Sequence, residues 1–149
     1  MGQFASGVTI MTTTAAGRMH GMTVSAFASQ SLDPLLILVS VERSTGMHKL
    51  VMASRVFAIN ILGEDAEGTA RFFADNARLK GPEFIAGAYH VGVSGAPLLN
   101  EAVAYIEATV HSTLEAGDHS VIVGQVTALE VRSEVEPLVY YRSGYRRLG

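Results

Sequence analysis

The chain contains no cysteine in its 149 residues. That absence excludes disulfides, thiolate metal sites and cysteine nucleophiles together, and it fits a reducing, cytoplasmic setting. Long hydrophobic runs are missing too. The longest, "PLLILVSV" at 34–41, is far short of the ~20 residues a membrane-spanning helix needs, so no membrane partner is expected. The opening "MGQFASGVTIMTTT" lacks a basic n-region, and Ser and Thr interrupt its apolar residues, which argues against a secretory leader. Charge is sparse: 17% of residues are charged, the net charge is −3 and the pI is near 5.9. Without a broad basic field, nucleic acid is not the expected main partner.

Several catalytic signatures are also absent. The five histidines, at 20, 48, 90, 111 and 119, never fall at metal-ligand spacing. There is no G-x-S-x-G elbow, no serine with an evident triad partner, and the carboxylates are dispersed. No G-x-G-x-x-G follows a strand and no P-loop occurs, so a nucleotide would have to be bound by other means.

What remains is rich in strands. Hydrophobic residues make up 48% of the chain and mean hydropathy is +0.27, more apolar surface than one small monomer needs to bury. One domain over 1–149, in an oligomer, is expected. Strand patterns run over 7–14, 21–29, 35–41 (apolar throughout, hence expected to be buried on both faces), 56–62, 102–116 and 119–132. Ser44 is placed to cap a helix over 45–54, and 64–74 reads as a second helix with acidic residues in its first turn. Residues 75–89 read as a surface loop broken by Gly and Pro. The expected fold class is mainly β: an antiparallel barrel with two or three short helices.

Polar side chains gather beside the apolar strands. "TVSAFASQS" (23–31) carries four hydroxyls and an amide, and "SVERST" (40–45) repeats the theme at a strand end. Strand ends and a helix cap account for these residues locally. The functional reading is a cradle for a flat ligand with an anionic tail, which the N-terminus of helix 45–54, Arg71 and Lys80 could reach. "YYRSGYRR" (140–147) is either a solvated terminus or a lid that stacks on a nucleotide. In "AGDHSVIVGQV" (116–126), Gly117 and Asp118 suit a tight turn, and His119 stands where the next strand begins. It either bonds a neighbouring loop or belongs to a site.

Together these segments resemble the short-chain flavin reductases, the reductase components of two-component flavin-dependent monooxygenases. The likeness runs through "FASGVTIMTT", "HGMTVSAFASQSLDPLLILVSV", "FAINIL", "GAPLLNEAVAYIEATV", "AGDHSVIVGQV" and "PLVYYRSGYRRL", in order along almost the whole chain. The G-D-H turn before an apolar strand with Gly124 is its most diagnostic piece. Two departures stand out: only Met1 to Gln3 precede the first strand, where family chains commonly carry a helix, and Lys80 is followed by "GPEF".

The resemblance implies a homodimeric, Greek-key split β-barrel of the FMN-binding type, with flavin near the dimer interface. The implied activity is that of an NAD(P)H:flavin oxidoreductase passing hydride from NADH (or NADPH) to FMN (or FAD). Reduced flavin would then serve a separate flavin-dependent monooxygenase. Carried over by position, Thr23, Val24, Ser25 and Ala26 would line the isoalloxazine, and Ser29, Gln30 and Ser31 would continue around ring and ribityl chain. Ser40, Val41 and Glu42 would end the adjoining strand. Ser44, Thr45, Arg71, Phe72 and Lys80 would hold the phosphate. His119 would be the catalytic residue on the nicotinamide side, with Tyr141, Arg142, Gly144 and Tyr145 closing over the dinucleotide. The alternatives are an FMN-binding split-barrel oxidase and a flavin- or haem-binding protein without turnover; the G-D-H turn favours the reductase.

Overall fold

A computed structural model describes residues 1–75 and 88–149. Its backbone begins with β1 (Ser6–Gly7), β2 (Thr9–Ala15), β3 (Arg18–Val24), β4 (Phe27–Leu32) and β5 (Leu35–Glu42). Helix α1 (Gly46–Ser54), β6 (Val56–Ile61) and α2 (Glu67–Ala74) follow. After them come β7 (Tyr89–Val91), β8 (Pro97–Leu99), β9 (Ala104–Ala116), β10 (His119–Val131), β11 (Val139–Tyr141) and β12 (Gly144–Arg146). The fold is mainly β and antiparallel, with the two helices α1 and α2 among the described residues.

Seven strands form the main sheet in the order β3-β2-β6-β9-β10-β5-β4. Its two edge strands, β3 and β4, are consecutive in the chain and separated only by Ser25 and Ala26. The sheet therefore curls until its edges are joined by a covalent link, the split of a split barrel. At the link the Phe27 N–H donates to the Ser25 carbonyl at 3.0 Å, and the Ser40 N–H donates to the Ala26 carbonyl at 3.0 Å. This tight turn divides the strand expected over 21–29 into two, because the chain must leave one edge and join the other.

Inside the curl, Met11, Ile37, Val39, Val41, Phe57, Ile59 and Ile122 form a closed core into which α1 packs Met47 and Val51. The α1 N-cap is Thr45, not Ser44. Its backbone is extended (φ −83°, ψ 154°) and its Oγ1 accepts from the His48 N–H at 3.2 Å, the geometry a cap requires. Helix α2 begins at Glu67, later than the 64 expected, because residue 63 bridges to Pro137 and a turn follows. A second core lies under α2, built from Val8, Ile10, Leu62, Ala70, Phe73 and Leu138, beside the small sheet β1-β11-β12. Strand β2 is buried on both faces, and buried polar bonds from β2 and β6 clamp the β7–β8 hairpin over the sheet. Thr12 Oγ1 donates to the Pro97 carbonyl at 2.6 Å, and Asn60 Oδ1 accepts from the Leu99 N–H at 2.8 Å.

Strand β5 departs from its expected burial on both faces. Ile37, Val39 and Val41 point into the core, while Leu36, Leu38 and Ser40 are only half-buried. That second face borders the cleft described next.

Candidate functional site

A cleft of about 750 Å³ opens where the β3–β4 link meets the small sheet. Its floor is Ser25, Ala26, Phe27 and Ala28 with Leu38 and Ser40 of β5. The opposite wall is built from the two ends of the chain: Met1, Gly2, Phe4 and Ser6 from one, Tyr140, Tyr141, Arg142 and Ser143 from the other. A smaller recess of about 220 Å³, lined by Val8, Thr23, Ser25, Ala74, Tyr140 and Tyr145, shares Ser25 and Tyr140 with it. Among the cleft's lining residues Arg142 carries the cationic side chain, amid serine hydroxyls and flat aromatic faces. Both the size and the mixture suit a small organic ligand with a planar part and an anionic part.

The wall owes its shape to an unusual turn. Arg142 and Ser143 connect β11 to β12 with φ of 50° and 60°, a left-handed conformation that non-glycine residues resist. Gln3 holds it. Its Oε1 accepts from the Tyr141 hydroxyl at 3.1 Å and from Arg142 Nε and Nη2 at 3.3 and 3.1 Å. The Arg142 N–H also donates to the Gly2 carbonyl at 3.0 Å. The Arg142 guanidinium lies over the Tyr141 ring at 5.2 Å, and that of Arg71 lies over Tyr145 at 5.0 Å. Burial pushes the Tyr145 phenol up from its usual range.

The structure thus brings together Ser25, Ala26, Ser40, Tyr141 and Arg142 in the cleft, and Thr23, Ser25 and Tyr145 in the recess. Phe72 of α2, Tyr140 and Tyr145 all pack against the second core. The Thr23 hydroxyl donates to the Ala70 carbonyl at 2.6 Å, so its proton is already engaged. Val24 and Val41 have their side chains in the core, leaving only backbone for a ligand. Ser29, Gln30 and Ser31 follow along the edge strand β4, at a bulge, and line neither cavity. Nor do Glu42, Ser44 and Thr45, which stand at the β5–α1 junction, where Thr45 spends its hydroxyl on the cap and on the Glu42 carbonyl at 2.7 Å. Gly144 pairs with Tyr141 across the terminal hairpin. Lys80 lies outside the described residues, as does most of the loop expected over 75–89.

His119 begins β10 directly opposite Glu42, as Val121 stands opposite Ser40 and Val123 opposite Leu38. Opposed residues share a sheet face, so His119 is one rung beyond Ser40 on the side that borders the cleft. Its Nδ1 is 2.7 Å from Asp118 Oδ1, and this bond holds the Asp118 carboxyl below its usual range. The other histidines serve elsewhere. His48 Nε2 is 2.9 Å from Ser120 Oγ, His90 Nδ1 is 2.8 Å from Asn100 Oδ1, and burial followed by the nearby Arg18 charge lowers His20. Among the described residues no cluster of His, Asp and Glu could hold a metal ion, and no helix is long and apolar enough to cross a membrane.

Sequence reasoning missed the N-terminal wall, Gln3 above all. Its partners are 138 and 139 positions away, and no local pattern announces such a contact. Tyr140 and Ser143 lay inside the aromatic–basic segment already noted.

With this geometry in place, relationships to known proteins become informative. The flavin reductase like domain family model matches residues 1–149. A probable flavin reductase of Rhizobium meliloti (strain 1021) is 38% identical over 145 residues; the match covers 97% of this chain but 45% of that protein, so the chain spans about half of its relative. Among solved structures, BorF, the flavin reductase component of a bacterial two-component tryptophan halogenase, superposes with a TM-score of 0.94 at 35% identity, covering 99% of this chain and 92% of that one. The NADH:FAD oxidoreductase SgcE6 of Streptomyces globisporus C-1027, in complex with NAD and FAD fragments, gives a TM-score of 0.92 at 34% identity, covering 99% and 88%. A curled antiparallel sheet with a cleft at its seam, matched from end to end, places this chain in the flavin reductase family.

Proposed function

We propose that this flavin reductase domain passes hydride from NADH to a flavin held at the β3–β4 seam, and that the reduced flavin leaves to serve a separate monooxygenase. The observation that carries the reading is the cleft: a planar-ligand volume floored by Ser25, Ala26 and Ser40, walled by aromatic rings, with the Arg142 guanidinium beside them.

The residues present fit a flavin. Ser25 and Ser40 offer hydroxyls to a polar ring edge and Phe27 offers a flat face, while Tyr141 and Arg142 would close over the nicotinamide dinucleotide, the guanidinium offering its phosphate or ribose a fork of donors. When bound, the flavin supplies the electron-accepting ring and the reduced nicotinamide supplies the hydride. The protein's part is to hold both in register, which makes an encounter between two solutes local. That division of labour explains why no acid–base dyad lines the cleft. His119, one rung beyond Ser40, would hold the nicotinamide carboxamide by a hydrogen bond rather than act as a base. Thr23 would accept from the ring while its proton stays with Ala70. Ser29, Gln30 and Ser31 on the neighbouring edge would take the ribityl chain, and the α1 entrance at Ser44 and Thr45, with Arg71, Phe72 and Lys80, the phosphate.

We also propose a homodimer. The outer row Ser40–Val121–Leu114 crosses three strands, and Leu114 is 66% exposed in the single chain, an apolar surface suited to a second copy. The test of the function is a steady-state matrix of NADH or NADPH with FMN or FAD. Oxidation of NADH that depends on added flavin is expected. No oxidation in any of the four mixtures overturns the reading.

A further inference from the structure

His119 can offer a ligand either a donor or an acceptor, depending on which ring nitrogen carries the proton. The residue before it settles that choice. Asp118 Oδ1 is 2.7 Å from Nδ1. An ionised carboxylate only accepts, so the proton between them belongs to Nδ1. The Asp118 backbone is fixed as well, since its carbonyl accepts from the Arg43 N–H at 2.9 Å across the turn. We propose that Asp118 is a positioning residue for the reductase reaction: it holds His119 in the Nδ1–H tautomer, so that the neutral ring presents a bare Nε2 acceptor on the cleft-bordering face. A bare acceptor suits the carboxamide NH2 of a reduced nicotinamide. The inference rests on the reading above for its ligand, but the tautomer itself does not.

Other charges face the same place. Glu42 stands opposite His119 on β5, and Arg43 is paired with Glu115 of β9 at 3.1 Å. Glu42 is not bonded to the ring in this structure, and the Arg43 charge is met by Glu115, which leaves Asp118 as the group in contact.

The test combines ring 15N spectra with a double-mutant cycle. In the wild type, Nδ1 of His119 is expected to carry the proton and Nε2 none; in Asp118→Asn the two tautomers should mix. Losing the imposed tautomer should raise KM for NADH about five-fold, the equivalent of one net hydrogen bond, and change kcat by less than about two-fold. In a His119→Gln background, Asp118→Asn should then leave KM where it was. A turn-stabilising role would persist in that background, so an equal effect there overturns the proposal, as does an Nε2–H ring in the wild type. If the wild type oxidises no NADH with any flavin, the functional reading falls, while the ring spectra still decide whether Asp118 sets the tautomer.

Discussion

Two hairpins flank the cleft, one bordering it through His119 and the other lining it, and they are built on opposite plans. The β9–β10 hairpin runs 13 residues a side, lies in the middle of the main sheet and turns at Gly117, whose φ of 66° a glycine adopts without strain. The β11–β12 hairpin runs 3 residues a side and turns through Arg142 and Ser143, which pay a steric cost for the same hand of backbone. The long hairpin is rigid through its own ladder and the core beneath it. The short one is held by a contact with the other end of the chain, through Gln3. His119 therefore sits on the main sheet's own scaffold, whereas Arg142 sits on a wall fastened by contacts between the two ends of the chain.

The largest blow to this contrast falls on the long hairpin. A Cβ on Gly124 would come to 2.5 Å from Phe57 Cζ and 3.0 Å from Ala108 Cβ, inside the closed core. Gly124→Ala should lower stability by about 1–3 kcal/mol, read as a Tm lower by several degrees. An unchanged Tm would mean that Phe57 can move aside and the scaffold is softer than it looks. Next in size, Gln3→Ala removes the acceptor that three donors share. KM for NADH should rise about three- to ten-fold for a loss of about 1 kcal/mol, with Tm moving less than in Gly124→Ala. A Tm loss with kinetics intact would make Gln3 merely structural. The smallest effect sharpens the comparison from the other side. Ser143→Gly relieves one left-handed residue and should raise Tm by about 1–3 °C, a gain of less than about 1 kcal/mol. A fall in Tm would show that the turn's strain is already met by its contacts.

The same contrast marks what could be read from sequence. Strands in the long hairpin and the main sheet alternate or run apolar for many residues, so their existence and type were legible. Their ends were not. Ser25 and Ala26 carry no strand-breaking signature, yet the sheet's curl forces a turn there. Thr45 displaced Ser44 as the cap because backbone angle and the reach of Oγ1 decide between adjacent hydroxyls. The half-open face of β5 was hidden because Leu36 and Leu38 look the same whether covered or exposed. Within the site, the serines of 23–31 and the 140–147 cluster were visible as chemistry, but not which of them share a cavity. The N-terminal wall was invisible altogether.

A barrel that zips shut by hydrogen bonds spends every backbone amide and carbonyl on its neighbours. This one is fastened by two residues of chain, and β3 and β4 have no ladder partner on their outer sides among the described residues. The seam is a zipper left undone, so a guest lying along it meets two strand edges, a kind of recognition that does not depend on which side chains evolution happens to place nearby.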